Sequence, residues 1–382
     1  MAGRREDIQA IVETIKRVGP RNCSLISRLT GIPTETVRYK IREQLVKKGF
    51  RIHAAIDFNK LGLERRWAIL HFSDEHRRIA PLILNTLSNI GFLTYYARVI
   101  PQGYYVSIFS VPLRRKVEHR RFMNGLVKLG ILDSYEVFEI PFLSYLSMRT
   151  EFYDFGAGCW RVDWREVDRL EVSIKETMDP PYEEPLADKK DILILKELQI
   201  DSMVSIAEIA RRIRLPPKTV RYHFTNHVLR RMLITGYIIG WYGAVKGPKW
   251  ESLLCMAIEV RGLTKAQLTA VQKVFRKLPF ILFDAYPAEH NFYLAYLTLP
   301  IHEYVNVLRY LSENLPQSGD VRVHLIDLSH ARSFTIPYRS FIEGEGWVFN
   351  YRRSLQRLSR IVLPVESYPL VKKGGVSGAR VA

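Results

Sequence analysis

The chain has 382 residues, a length that predicts two or three domains, and its 47% content of hydrophobic residues is that of a globular protein. Lys and Arg number 57 against 39 Asp and Glu, and the resulting net charge of +18 favours a polyanionic partner. Cys23, Cys159 and Cys255 stand far apart, which predicts neither a disulfide framework nor a zinc site. With no signal peptide or membrane-length apolar segment in the sequence, we expect a cytoplasmic protein that does not enter membranes.

The excess positive charge is confined to three segments. Residues 1–60 carry +7, residues 188–250 carry +7 and residues 350–382 carry +6, so the rest of the chain is close to neutral. A merely solubilising surface would mix both signs. This clustering predicts a site for a polyanion.

Two of these basic segments resemble each other. Thr36-Val37-Arg38-Tyr39 returns as Thr219-Val220-Arg221-Tyr222, and Val111-Pro112-Leu113 is matched further on by Leu299-Pro300-Ile301. Such matches, in the same order and at nearly the same spacing, predict an internal duplication of about half the chain.

In chain order, each half begins with three short helices. Apolar residues recur at helical spacing in Ile8 to Ile15, in Leu25 to Leu29 and from Thr34 onwards, and the second copy repeats the pattern from Ile192 to Val228. After each third helix, a Gly followed by apolar alternation predicts a wing hairpin or a lead-in strand.

The remainder of each half predicts the ferredoxin-like order βαββαβ. The first copy gives strands or helices at 67–72, 79–90, 92–99, 104–111, 117–129 and 135–140, and the second at 253–260, 265–278, 281–285, 292–299, 302–314 and 321–328. The predicted fold class is α+β, with two winged helix-turn-helix domains alternating with two ferredoxin-like domains. The predicted domains are helix-turn-helix 1–60, ferredoxin-like 61–160, linker 161–187, helix-turn-helix 188–247, ferredoxin-like 248–349 and basic tail 350–382.

Each half contains a short helix, a turn and a second helix whose cations point outward. This is the geometry by which a recognition helix enters the DNA major groove. The predicted readers are Thr34, Glu35, Thr36, Arg38, Tyr39 and Arg42 in the first copy and Lys218, Thr219, Arg221, Tyr222 and His223 in the second. The predicted phosphate contacts are Lys47, Lys48, Arg211, Arg212, Arg230 and Arg231. Double-stranded DNA is therefore the predicted partner.

The run Ile32-Pro-Thr-Glu-Thr-Val-Arg-Tyr-Lys-Ile41, followed by Lys47-Lys-Gly-Phe50, resembles the helix-turn-helix of the Lrp/AsnC (feast/famine) transcription regulators. In the second copy, Asp191-Ile-Leu-Ile-Leu-Lys-Glu-Leu198 with Ile206-Ala-Glu-Ile-Ala-Arg-Arg212 resembles it more closely. The resemblance implies regulators that pair through their sheets and often respond to a small-molecule effector. Since both helices come from one chain, we expect an intramolecular pseudo-dimer or a homodimer. Because the two reading helices differ, with Glu35 in one and Lys218 in the other, we expect an asymmetric site.

The sequence departs from that family at two places. Pro33 and Pro216 stand where a Ser usually caps the recognition helix, which predicts a shifted start or a cap by water. The loops 100–104 and 286–291 lack the family's Gly-Asp-type turn, which argues against an amino-acid effector.

Two alternatives remain open. The resemblance extends to sirohaem decarboxylases. If this chain acts as they do, its candidates for binding a tetrapyrrole are Arg98, Tyr104, Tyr105, His290 and Tyr293. An architectural chromatin protein is the other. As the sequence contains no nucleophile, phosphate-loop or dinucleotide motif, we predict a regulator that is not an enzyme and needs no cofactor or metal.

Overall fold

The computed structural model describes residues 2–174, 180–242, 252–316 and 319–362. Within it, two halves show the same succession of three helices, a strand and a βαββαβ unit, so the predicted α+β fold class is confirmed. The predicted basic tail 350–382 is described only as far as Val362, and its remainder lies outside the described residues.

The first half contains α1 (Ala2–Val18), α2 (Cys23–Thr30), α3 (Thr34–Tyr39, continued as a π-helical segment Lys40–Val46), β1 (Arg51–Ile56), β2 (Leu63–Phe72), α4 (Ala80–Ile90), β3 (Leu93–Ile100), β4 (Tyr105–Pro112), α5 (Lys116–Lys128) and β5 (Leu132–Glu139). It is followed by β6 (Phe142–Tyr145), β7 (Tyr153–Asp154), β8 (Cys159–Trp160) and α6 (Trp164–Arg169). The second half contains α7 (Lys189–Ile200), α8 (Ile206–Ile213), α9 (Pro217–His223, continued as a π-helical segment Phe224–Leu229), β9 (Ile234–Gly240), β10 (Leu253–Arg261), α10 (Lys265–Lys277), β11 (Ile281–Tyr286), β12 (Phe292–Pro300), α11 (Tyr304–Asn314) and β13 (Asp320–Ser333). Then come β14 (Phe341–Ile342), β15 (Gly346–Trp347) and α12 (Tyr351–Val362).

Helices α1–α3 form the first three-helix unit and α7–α9 the second. Each buries the apolar stripe that its sequence spacing predicts, and the side chains of Asn22 and Ser205 cap α2 and α8. At the recognition helices, Pro33 and Pro216 occupy the cap position without a side-chain hydrogen bond, and the helices begin directly after them at Thr34 and Pro217. The predicted wing is not a hairpin within each unit. Instead, β1 of the first unit pairs antiparallel with β9 of the second, and we call this two-stranded sheet the shared wing.

The βαββαβ units share one sheet of nine strands in the order β5-β2-β4-β3-β13-β10-β12-β11-β6. Each half contributes four strands in the same relative order. The segment that ends each half then pairs with a strand of the other half. Strand β6, which follows the first half, pairs with β11 of the second. The last residues of β13 pair with β3 of the first half, which explains why this strand extends beyond its predicted end.

The same exchange holds for the following helices. Trp164 of α6 packs against Tyr310 of α11, with ring centroids 5.6 Å apart, whereas α12 packs on α4 and α5 of the first half. The inner faces of both halves' strands meet in one apolar cluster that includes Trp67, Val99 and Leu294. The two halves are therefore interlocked. No helix in the part of the chain that the structure describes has the length and apolar content needed to cross a membrane.

Candidate functional site

Both recognition helices present their predicted cations to solvent. The apolar residues Val37 and Val220 face inward and are fully buried. Of the predicted DNA-contacting residues, those that are exposed are Glu35, Arg38, Tyr39, Arg42, Lys47, Lys48, Arg211, Arg212, Lys218, Arg221, Tyr222, Arg230 and Arg231, and those that are partly buried are Thr34, Thr36 and Thr219.

In the first unit, several of these cations are bound to neighbouring carboxylates or to a backbone carbonyl. Arg38 forms an ion pair with Glu35 one turn earlier on the same helix. The Lys47 ammonium lies 2.7 Å from a Glu43 carboxylate oxygen, and Lys48 Nζ donates to the carbonyl of Phe155 at 3.0 Å. These contacts are on an exposed surface, so a phosphate can replace them at little cost.

The second unit gathers its paired cations on α8 instead. Arg211 and Arg212 both hydrogen-bond to Glu208, and these bonds lower the pKa of the Glu208 carboxyl to about 2. Arg221 on the recognition helix has no acidic partner among the described residues. Its guanidinium is therefore available to a DNA base or phosphate without first leaving an ion pair.

The position of His223 differs from the prediction of an outward reader. Its ring is only 6% exposed and its Nδ1 lies 2.8 Å from Oδ1 of the fully buried Asp191. One turn further on, His227 Nδ1 lies 3.1 Å from the other oxygen of the same carboxylate. The side chain at 223 faces the first helix of its unit, whereas its neighbour Tyr222 faces solvent, because a helix turns by about 100° per residue.

The N-terminus of α7 completes this cluster. Oδ1 of Asp188 accepts the backbone N–H groups of Lys190 and Asp191, each at 2.9 Å, and Oδ2 of Asp191 accepts the backbone N–H of Asp188 at 3.1 Å. Together these bonds form a capping box. They leave Oδ2 of Asp188 facing His223, 3.5 Å from its Nδ1.

A separate cavity of about 860 Å³ lies between the shared wing and the nine-stranded sheet. Its lining is mostly apolar and draws on β1 and β9, on eight strands of the large sheet and on the end of α7. Pockets of this size and character hold small organic ligands.

Arg65 is the most unusual residue of the cavity lining. Its side chain comes from β2, stacks over Phe58 with the guanidinium carbon 4.1 Å from the ring centre, and is 5% exposed. Its Nε and Nη1 have no hydrogen-bond partner among the described residues. Because buried guanidinium donors are normally satisfied, this one is suited to an anionic ligand such as a carboxylate.

Besides Arg65, the cavity is lined by the exposed Arg332 and by several neutral polar groups. The hydroxyls of Tyr95 and Tyr296 share a hydrogen bond of 2.7 Å, and burial raises the pKa of both above the ordinary value. Burial also raises the pKa of the Cys255 thiol to about 11, so it remains a thiol near neutral pH. The cavity therefore offers hydrogen bonds, the buried cation of Arg65 and the exposed cation of Arg332, with no thiolate nucleophile from Cys255.

The residues proposed from sequence for a tetrapyrrole do not line this cavity. Tyr293 is buried and donates to Asp284, and Tyr104 shares a hydrogen bond of 2.7 Å with His324. Sequence reasoning missed Arg65, although an Arg at the start of a strand that leads into Trp67 is a signal that could have found it.

Comparison with known proteins identifies residues 188–222 as an AsnC-type helix-turn-helix domain. This stretch contains the second unit up to Tyr222, and the predicted resemblance is confirmed there; the duplication of the whole half stays a prediction. No curated protein matches the chain.

Among solved structures, the siroheme decarboxylase NirDL is similar over 95% of this chain and 100% of its own, with 12% identity and a TM-score of 0.50. NirDL in complex with an iron-uroporphyrin III analogue gives 94% and 100% coverage, 10% identity and a TM-score of 0.51. A transcriptional regulator of Neisseria meningitidis in complex with L-Met covers 40% of this chain and 96% of its own, with 20% identity and a TM-score of 0.31.

These matches correct one prediction. The sequence predicted that the chain is not an enzyme. This prediction is wrong, because the solved structures that match nearly the whole chain are those of a decarboxylase. The identity is low, so the similarity shows a common fold.

Proposed function

We propose that this protein is a sequence-specific, DNA-binding transcription regulator that presents two recognition helices from one chain. The observation that carries the proposal is the pair of three-helix units whose apolar stripes are buried and whose recognition helices expose Arg38, Arg42, Lys218 and Arg221. The AsnC-type domain at 188–222 supports it. Exposed cations at the start of such a helix can contact base edges and phosphates in the major groove.

The shared wing supports simultaneous use of both units. Backbone pairing from Arg51 with Gly240 to Ile56 with Ile234 connects the units through one two-stranded sheet. A second binding event is then intramolecular, which raises its effective concentration. One chain would act as a pseudo-dimer, and because its two recognition helices differ in sequence, we expect an asymmetric site.

The test is selection of bound sequences from a random DNA pool with the full chain, followed by affinity measurement at fixed ionic strength. A regulator selects one asymmetric sequence, and its affinity falls roughly 10-fold or more when Lys218→Ala and Arg221→Ala are combined. The matched control is Lys273→Ala with Arg309→Ala, which removes equal charge from exposed positions on α10 and α11. Equal losses in both double variants, with no selected sequence, would indicate an architectural protein and contradict the proposal.

A second candidate function is supported by the cavity. Its volume of about 860 Å³, the two Arg65 nitrogens that lack a hydrogen-bond partner among the described residues and the full-length similarity to NirDL favour a large carboxylated ligand, such as a tetrapyrrole, held between wing and sheet. Arg65 would pair with one carboxylate, and the apolar walls would pack on the ring. The ligand could be the substrate of a decarboxylation, or an effector that alters the arrangement of the wing.

Optical titration with iron-uroporphyrin III separates these possibilities. Binding would produce a shifted visible absorption band and would weaken at least about 10-fold in Arg65→Met, since a charge-assisted pair contributes about 1.5–3 kcal/mol. The exposed Arg309→Met is the control. Loss of carbon dioxide from a bound carboxylated tetrapyrrole, detected by mass spectrometry, would establish an enzyme, whereas a change in DNA affinity alone would establish an effector.

A further inference from the structure

We propose that Asp188, Asp191, His223 and His227 form a binding site for one divalent transition metal ion, with zinc as the best-matched ion. The site lies inside the second three-helix unit, away from the cavity. It differs from the sequence-based prediction, which placed no metal on the chain and His223 on the DNA. Metal binding itself does not depend on the proposed function.

The donor set comes from two elements that the unit must hold together. Asp188 and Asp191 lie at the N-terminus of α7, and His223 and His227 lie four residues apart on the recognition helix and its π-helical continuation. Side chains four residues apart share one helix face, as two ligands of one ion require. One ligand atom from each of the four residues lies within 4.8 Å of all the others.

The spacing of these atoms fits tetrahedral coordination. Metal–ligand bonds of about 2.0–2.1 Å place tetrahedral ligand atoms about 3.3 Å apart. His223 Nδ1 lies 2.8 Å from Asp191 Oδ1 and 3.5 Å from Asp188 Oδ2. His227 Nδ1 lies 3.1 Å from Asp191 Oδ2 and 3.8 Å from Asp188 Oδ2. These separations, which involve both carboxylate oxygens of Asp191, lie on both sides of the ideal value, so the cluster needs only small side-chain movements to coordinate an ion.

The rest of the environment is compatible with an ion. Oδ1 of Asp188 is occupied by the helix cap, which fixes the carboxylate and leaves Oδ2 available. Asp191 is completely buried and His223 nearly so, which limits competition from water. Arg231 Nη1, at 3.9 Å from Asp191 Oδ2, already donates to the carbonyl of Leu186, so it does not complete the carboxylate's coordination.

Without metal, the same residues form a hydrogen-bonded network in which both imidazoles donate from Nδ1 to Asp191. With metal, each neutral imidazole carries its proton on Nε2 instead and coordinates the ion through the lone pair of Nδ1. Because a protonated imidazole has no lone pair to offer, metal binding weakens as the pH falls. An ion here would fasten the recognition helix to α7, with Arg221 exposed to solvent and the ring of Tyr222 packed edge-on against both imidazoles.

The experiment is titration of the full chain, stripped with a chelator, with Co²⁺, followed by displacement with Zn²⁺. We expect one Co²⁺ per chain, with the visible bands of tetrahedral cobalt, and displacement by Zn²⁺. Asp188→Asn retains the cap, since Asn caps helices as well as Asp does, and removes the anionic ligand. Its affinity should fall at least about 100-fold, because loss of even an outer-shell partner costs 10- to 100-fold.

Two further variants keep the test decisive. His223→Lys introduces the residue that the first unit has at the corresponding position, where Lys40 forms an ion pair with Asp7, so the unit should fold without binding cobalt. His302→Gln changes an exposed histidine outside the cluster and should bind like the parent chain. The proposal is overturned if the parent chain binds no cobalt, or if Asp188→Asn and His223→Lys bind it as tightly as His302→Gln.

Discussion

The two three-helix units differ in what holds the recognition helix to the first helix. In the first unit, Lys40 Nζ lies 3.4 Å from Asp7 Oδ2, and the lysine is 4% exposed. In the second, Asp191 is 0% exposed and faces two imidazoles. A lysine carries its own charge on a long stem, whereas neutral histidines stabilise a buried carboxylate by hydrogen bonds or through a metal. The first attachment is therefore a direct ion pair, whereas the second consists of hydrogen bonds from two imidazoles and, in our proposal, a bound ion.

The ferredoxin-like parts show a second difference at one corresponding position. His119 of α5 is fully enclosed by the rings of Phe109, Phe122 and Phe349, and its Nε2 has no hydrogen-bond partner among the described residues. In α11, the matching position holds Val307, which is also fully buried. Thus one half buries a titratable ring where the other buries a hydrocarbon.

The largest expected effect tests the attachment of the recognition helices. Asp191→Ala removes the acceptor of both imidazoles and the partner of the helix cap, and should lower the opening free energy of the second unit by about 3 kcal/mol. Asp7→Ala should cost the first unit about 1 kcal/mol, since Lys40 can extend its ammonium towards water. Native-state hydrogen exchange of α7 and α1, in the presence of a chelator, measures both.

Equal losses in the two units would contradict the difference between them. Lys273→Ala, an exposed change in α10, controls for effects of substitution elsewhere and should leave both rates unchanged.

The next effect concerns acid stability. Burial lowers the pKa of His119 from 6.5 to about 3. The unfolded chain binds a proton between these values and the folded chain does not, so stability is complete above about pH 6.5 and falls by about 1.4 kcal/mol per unit below it. His119→Val, which copies the second half, should remove about 2 kcal/mol of the loss between pH 6.5 and 5.

Urea denaturation at these two pH values checks this prediction, with the exposed His302→Val as control. The reciprocal Val307→His should introduce the same pH dependence into the second half. If His119→Val leaves the acid sensitivity of the parent chain unchanged, the buried imidazole is not its cause.

The sequence predicted most of the fold because the information was local. Strand and helix periodicity identified both βαββαβ units, and Val37 and Val220 are buried as their spacing predicts. The exchange of β6 and the end of β13 could not be predicted, since it depends on pairing between residues more than a third of the chain apart. The cavity is lined in part by these exchanged segments, so the sequence could not predict it. Among its lining residues, only Arg65 had a sequence signal that could have identified it.

His223 was placed wrongly because helical phase is sensitive to a single residue. The repeated Arg-Tyr pair identified the outward face at Arg221 and Tyr222, and the next residue already turns inward. The inward-facing His223 forms a hydrogen bond with Asp191, which lies 32 residues earlier. The sequence pattern placed Asp191 only as part of a helix.

The smallest expected effect concerns the two arginines of the repeated motif. Arg38 is paired with Glu35, whereas Arg221 has no acidic partner among the described residues. Given DNA binding, Arg221→Ala should lower affinity for the selected sequence roughly 10-fold, within the about 1–3 kcal/mol expected for a base contact, and Arg38→Ala roughly 3-fold. Glu35→Gln should release Arg38 and raise affinity about 2-fold, because an exposed ion pair contributes less than about 1 kcal/mol. Fluorescence anisotropy at one fixed salt concentration measures all three, and a larger loss in Arg38→Ala than in Arg221→Ala would show that the first unit, despite its internal ion pair, makes the stronger contact.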